Sequence, residues 1–167
     1  MPDIPNDKHE ENSMPNADTL LTPQSISNAF LMLNGTAALP EPDRPAADAA
    51  QWIAHIETVD TELRRGEIGP MLRAWHAACA SALGGGTWDA MIALGDTALR
   101  IGQSTGFKVA FAAKARQAYH VAFFRAHHQA SVEGVRRAGD CFAALGEEEL
   151  AAQCRVAAER LARSSTA

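Results

Sequence analysis

The stretch WDAMIALGDTALRIG (88–102) is echoed by VEGVRRAGDCFAALG (132–146), 44 residues further on. Each carries a Gly-Asp pair at the same offset, Gly95-Asp96 and Gly139-Asp140, and each closes on a glycine seven residues after the first. Glycine inside a helix costs about 1 kcal/mol against alanine. Its recurrence therefore predicts two equivalent helices that each approach a neighbour closely, with Gly95 and Gly139 at the crossings. A repeated unit of this kind points to stacked helical hairpins, a pattern that similar hairpins in a compact bundle would also produce.

The rest of the chain agrees with that reading. Over 46–65, Trp52, Ile56, Val59 and Leu63 recur at steps of four, three and four and draw one apolar stripe. Arg64 and Arg65 suit the helix C-terminus, and Gly66 suits its exit. Pro70 opens a second helix, with Met71, Trp75, Cys79 and Leu83 mostly on one side, and the glycines at 84–86 end it. Thr87 is placed to cap the helix of the first Gly-Asp pair, and GQSTG (102–106) is expected to break the chain again. A long helix follows at about 107–129. Ser131 caps the helix of the second pair, Gly146 ends it, and EEELAAQCRVAAERLA forms the last. Nothing alternates with period two, so the fold class is all-α, with about six helices over 46–162 and a disordered tail at 163–167.

Seven of the eight prolines lie in the first 45 residues. That segment is acidic and poor in large apolar groups, and it reads as a disordered leader. A short helix is expected within it at 23–34, between Thr22 and Gly35, with Ile26, Phe30 and Leu33 on one face. It docks either on its own domain or on a partner. Through Gly66 the chain has four basic and eleven acidic residues, against eleven and nine from Glu67 onward. Three cysteines without C-x-x-C spacing argue against a disulfide framework or a zinc knuckle and for a reducing compartment. No stretch reaches the roughly 18 apolar residues of a membrane span, and the N-terminus lacks the basic region of a secretory signal. The expected location is the cytoplasm.

Candidate chemistry is sparse. His120 and His127, seven apart, share a helix face with His128 alongside, and Cys141 could approach from the next helix. A metal site wants such a face, but the i, i+4 histidine pair and a nearby carboxylate are missing, so no metal ligands or cofactor are assigned. GGGT before a helix resembles an anion-binding helix start, without the Lys-Ser/Thr continuation of a phosphate loop. His76 and Cys79 are three apart on an apolar helix, which is weak support for an activated thiol. No nucleophile–base or paired-carboxylate arrangement stands out, and the expectation is a protein that is not an enzyme. Between 107 and 138, Lys108, Lys114, Arg116, Arg125, Arg136 and Arg137 face only Glu133 in charge, interleaved with Phe107, Phe111, Tyr119, Phe123 and Phe124. Such a track would suit single-stranded nucleic acid, although the aromatic spacing is equally that of a core.

Gly139, Phe142, Leu145 and Gly146, followed by Ala151 and Ala158, resemble the two-helix pattern of tetratricopeptide repeats. Leu94, Gly95 and Gly102 match in the earlier copy, where Ala115, Tyr119 and Ala122 fit a second helix displaced by eight residues. Arg155 stands where an aromatic is usual, and the spacing is 44 residues instead of the family's 34. The resemblance covers about 88–162 and implies antiparallel hairpins stacked as a short array. It also implies a partner-binding groove lined by first-helix residues, which here are Asp89, Ile92, Asp96, Arg100, Glu133, Arg136 and Asp140. Asp96 and Asp140 attract notice without it, since aspartate is disfavoured inside helices. The expected function is a non-catalytic interaction module (adaptor, assembly factor or accessory subunit) that binds a partner protein or peptide. The alternatives are a ligand- or metal-binding bundle using the His120/His127 face, and a weak nucleic-acid binder.

Overall fold

The computed structural model describes residues 51–164. The leader expected at 1–45, with its helix at 23–34, lies outside the described residues. Six helices follow in order: α1 Gln51–Arg65, α2 Ile68–Gly85, α3 Trp88–Thr105, α4 Lys108–His128, α5 Val132–Ala144 and α6 Glu148–Ser164. There is no strand among the described residues. No helix there is long and apolar enough to cross a membrane. The last helix runs through Ser164, two residues into the stretch expected as a tail.

Turns of two or three residues force successive helices antiparallel. The closest pairings are α1 with α2, α3 with α4, and α5 with α6, so the bundle is three hairpins in series. Successive hairpins join through α2 against α3 and α4 against α5, and the first helices α1, α3 and α5 also touch in sequence. The core is a single cluster built largely from alanine, with Trp75, Tyr119, Phe142, Met71, Met91 and Leu94 as its bulk. Small side chains let the helices come close, and α4, central in the array, buries residues on most of its circumference.

Helix ends explain both the agreements and the departures from sequence expectation. Gly66 (φ +75°) ends α1 through hydrogen bonds from Gly66 N to Leu63 O and from Glu67 N to Glu62 O, the paired closure that a left-handed residue makes possible. In α3 the helix passes through Gly102 and stops at Gly106 (φ +82°), one turn later than expected. Gly102 is instead a contact residue, where an added Cβ would stand 2.9 Å from that of Phe111 and 3.3 Å from Lys108 Cα. Its sequence counterpart Gly146 (φ +79°) does end α5, so the two copies part company there by one helical turn.

Ser131 caps α5 as expected, its hydroxyl accepting from Gly134 N at 3.1 Å. Thr87 precedes α3 without a side-chain cap bond. The end of α4 gives no sequence signal, because its left-handed residue is Ala130 (φ +51°). Ser131 N to Ala126 O and Ala130 N to His127 O make the same closure that glycine makes elsewhere. A non-glycine residue in that conformation carries about 1 kcal/mol of strain. Ala130→Gly is expected to raise stability by about 0.5–1 kcal/mol, read as a higher urea midpoint at unchanged slope.

Candidate interaction face

The first Gly-Asp pair works as a unit. Gly95 is buried, and a Cβ placed on it would lie 2.3 Å from Tyr119 Cε1 on α4. Because that space is free, the Tyr119 ring lies flat on α3, and its hydroxyl donates to Asp96 Oδ1 at 2.7 Å. The Cys141 thiol of α5 sits at the same hydroxyl. Burial, then the Asp96 carboxylate, pushes the Tyr119 hydroxyl far above its ordinary pKa, so it is a permanent donor. Burial and Asp96 likewise raise the Cys141 thiol to about 11. Three helices thus meet at one polar point, on the side where α3 and α5 run next to each other.

The same side continues towards α1. Arg100, one turn after Asp96, donates to Asp60 through Nε (3.3 Å to Oδ1) and Nη2 (3.1 Å to Oδ1, 3.3 Å to Oδ2), and through Nη2 to Thr97 Oγ1 at 3.0 Å. Both charged ends are close to half exposed, so the pair contributes at most about 1 kcal/mol. It links α1 to α3 on this side of the bundle. Asp89, Glu133, Arg136 and Asp140 are exposed on α3 and α5. Ile92 is the correction. It is 4% exposed and belongs to the core, because α3 is packed by helices on nearly every side, whereas the equivalent position on α5 is the exposed Arg136.

Gly139 is also a crossing residue. A Cβ there would come within 2.9 Å of Cys154 Cβ on α6. Asp140 lies exposed beside it, with no hydroxyl positioned as Tyr119 is for Asp96. Gly134 serves the joint between hairpins, where a Cβ would meet Ala126 at 2.6 Å and the Trp88 ring at 2.8 Å. Gly95 and Gly139 therefore share one purpose, while the two aspartates differ.

The other sequence candidates are placed as follows. His120 packs its ring 4.9 Å from that of Phe142, and His127 lies 5.9 Å from Phe123. No three His, Cys, Asp or Glu side chains converge as a metal site among the described residues. Cys79 is 1% exposed and its thiol is pushed up to about 12 by burial, which suits packing and not attack. Within the basic segment, Lys114 lies 5.2 Å over the Trp75 ring and Arg116 pairs with Glu147. Phe111, Tyr119 and Phe123 are buried in the core, Phe124 is partly buried, and Phe107 is exposed.

Arg125 has a role that sequence reading missed. From α4 it reaches the end of α2, donating through Nη1 to Ala82 O (2.8 Å) and Thr87 O (3.0 Å) and through Nη2 to Leu83 O (2.7 Å). Gln129 Nε2 adds a bond to Gly86 O at 3.0 Å. The last turn of α2 and the GGGT segment together are thus the receiving end of a clasp made by Arg125 and Gln129. The only hint in sequence is a lone arginine inside VAFFRAHH, where the neighbours are apolar. No family model, curated protein or solved structure matches the chain.

Proposed function

We propose that the protein is a non-catalytic interaction module, a short array of tetratricopeptide-like hairpins that holds a partner protein segment along its first helices. The observation that carries this reading is Asp96. Its carboxylate is half-buried and held by Tyr119, and no lysine or arginine among the described residues pairs with it. The nearest candidate on its own helix, Arg100, is engaged with Asp60 and Thr97. A partly desolvated carboxylate without a counter-ion costs free energy, and a partner's lysine or arginine would offset that cost on binding. Exposed Asp89, Glu133, Arg136 and Asp140 flank it with both signs of charge, a pattern that confers register more than raw affinity.

Asp96→Asn tests this directly, because the amide oxygen still accepts from Tyr119 while the charge is gone. The variant should keep its thermal midpoint and lose about tenfold or more in affinity for a partner recovered by crosslinking in native lysate. Asp140→Lys, exposed and structurally neutral, should weaken the same complex. Recovery of no stoichiometric partner, or a partner whose affinity ignores both substitutions, would sink the reading.

A further inference from the structure

We propose that the seam between α4 and the α5–α6 hairpin is an acid-sensitive joint, closed around neutral His120 and loosened when that ring gains its second proton. His120 sits on α4 with its ring 4.9 Å from that of Phe142, which is fully buried on α5 and packs edge-on against Tyr119 at 6.2 Å. Its Nδ1 is sealed from solvent and has no hydrogen-bond partner. A neutral imidazole can leave that nitrogen as a bare acceptor. An imidazolium carries a proton on both nitrogens, so acidification places an N–H at a sealed position that offers no acceptor.

The surrounding charges do not rescue it. An open cleft of about 580 Å³ beside the ring is lined by Arg116, Gly146, Glu147, Glu148, Glu149 and Leu150. On its own helix His120 faces Arg116, a like charge once the ring is protonated. From the α5–α6 turn it faces Glu147, which Arg116 already engages. From α6 come Glu148 and Glu149 at the cleft, and from α5 the apolar Phe142. Burial, then Arg116, lowers the ring's pKa below the ordinary 6.5, with Glu147 opposing.

The sign follows from linkage. The closed seam binds fewer protons than the open one, so its stability is complete above about 6.5 and falls as the pH drops through that value. Among the described residues the hairpin has a neighbouring hairpin on one side only, so it can respond locally. It holds to the rest mainly through α5 on α4, with only slight contact from α6. This joint does not depend on the binding function proposed above.

Amide hydrogen exchange on the full chain at pH 7.5 and pH 5, corrected for intrinsic rates, is the test. Protection in α5–α6 should fall measurably relative to α1–α2 between the two pH values, the direction that a lowered His120 pKa requires. His120→Phe, which keeps an aromatic ring on Phe142 and cannot titrate, should abolish the fall. The wild-type ring also reports without any substitution, since its NMR titration midpoint should lie below 6.5. Equal protection at both pH values, a fall that persists in His120→Phe, or a midpoint at or above 6.5 would each overturn the proposal.

Discussion

Gly95→Ala is expected to destabilise the protein by about 3 kcal/mol, the cost of overpacking a fixed core site, although the same exchange in an open helix stabilises by about 1 kcal/mol. The added Cβ would fall 2.3 Å from Tyr119 Cε1, 2.8 Å from Cδ1 and 2.9 Å from Cζ. The ring has nowhere to go. It is 1% exposed, its hydroxyl is held at 2.7 Å by Asp96, and Phe142 stands edge-on to it. Urea unfolding should show a lower midpoint at unchanged slope. A double-mutant cycle makes the mechanism specific. On a Tyr119→Ala background the clash is gone, so Gly95→Ala should become neutral or mildly stabilising. Gly139→Ala should cost less, since it meets one side-chain atom closely, Cys154 Cβ at 2.9 Å. A wild-type midpoint for Gly95→Ala would mean that α3 and α4 do not cross this closely.

The two Gly-Asp pairs also show how far sequence reasoning reaches. Glycine inside a helix has few uses, so close approach at Gly95 and Gly139 follows from the pattern, and the structure bears it out. Aspartate has many uses, and here the same pattern misleads in part. Both aspartates look like features that packing does not require. In the fold Asp96 is the acceptor for a tyrosine 23 residues away, on a different helix. That pairing depends on α3 and α4 crossing at one register, which no local spacing encodes. The class of fold, the order of helices and most of their ends were legible, because each rests on residues within one turn of the boundary. The extra turn of α3 was not. Gly102 looks like a stop, and only the contact with Phe111 and Lys108 shows it to be a packing residue.

A comparison of α3 with α5 along the 44-residue offset sharpens the point about the candidate face. Ala90, Met91, Leu94, Gly95 and Ala98 are buried, as are Gly134, Val135, Ala138, Gly139 and Phe142. The copies diverge where Ile92 and Ala93 are replaced by the exposed Arg136 and Arg137. That is the composition expected of a helix face that, among the described residues, no further hairpin covers. The carboxylate of Asp96 therefore lies at an internal junction, and the charges of α5 border it from the last hairpin. Residues equivalent by sequence do unequal work because, among the described residues, one has a neighbouring hairpin on each side and the other does not.

Removing Arg125 should cost about as much as crowding Gly95, by the opposite route. Arg125→Ala is expected to lower stability by about 3 kcal/mol, because two carbonyls at the end of α2 and one in the α2–α3 turn lose a charged donor. Among the described residues no carboxylate pairs with the guanidinium. Its counter-charge is the C-terminal end of the α2 dipole, whose last carbonyls would otherwise lack partners. Arg125→Met keeps an unbranched apolar stem and isolates the loss of the head group, so it should be destabilised, but less than alanine. Arg125→Lys keeps the charge but lacks the planar fork that reaches Ala82, Leu83 and Thr87 together, and should fall between methionine and wild type. Urea midpoints rank the three, and amide exchange should locate the damage at 82–88 and 125–131. Burial holds the Arg125 pKa down to about 10, so the group remains cationic at neutral and acidic pH. The clasp therefore adds no pH dependence there, which separates its contribution from that of His120. A methionine variant as stable as wild type would show that burying the charge costs as much as its hydrogen bonds return, and would remove the clasp from the account of why α2 and α4 dock.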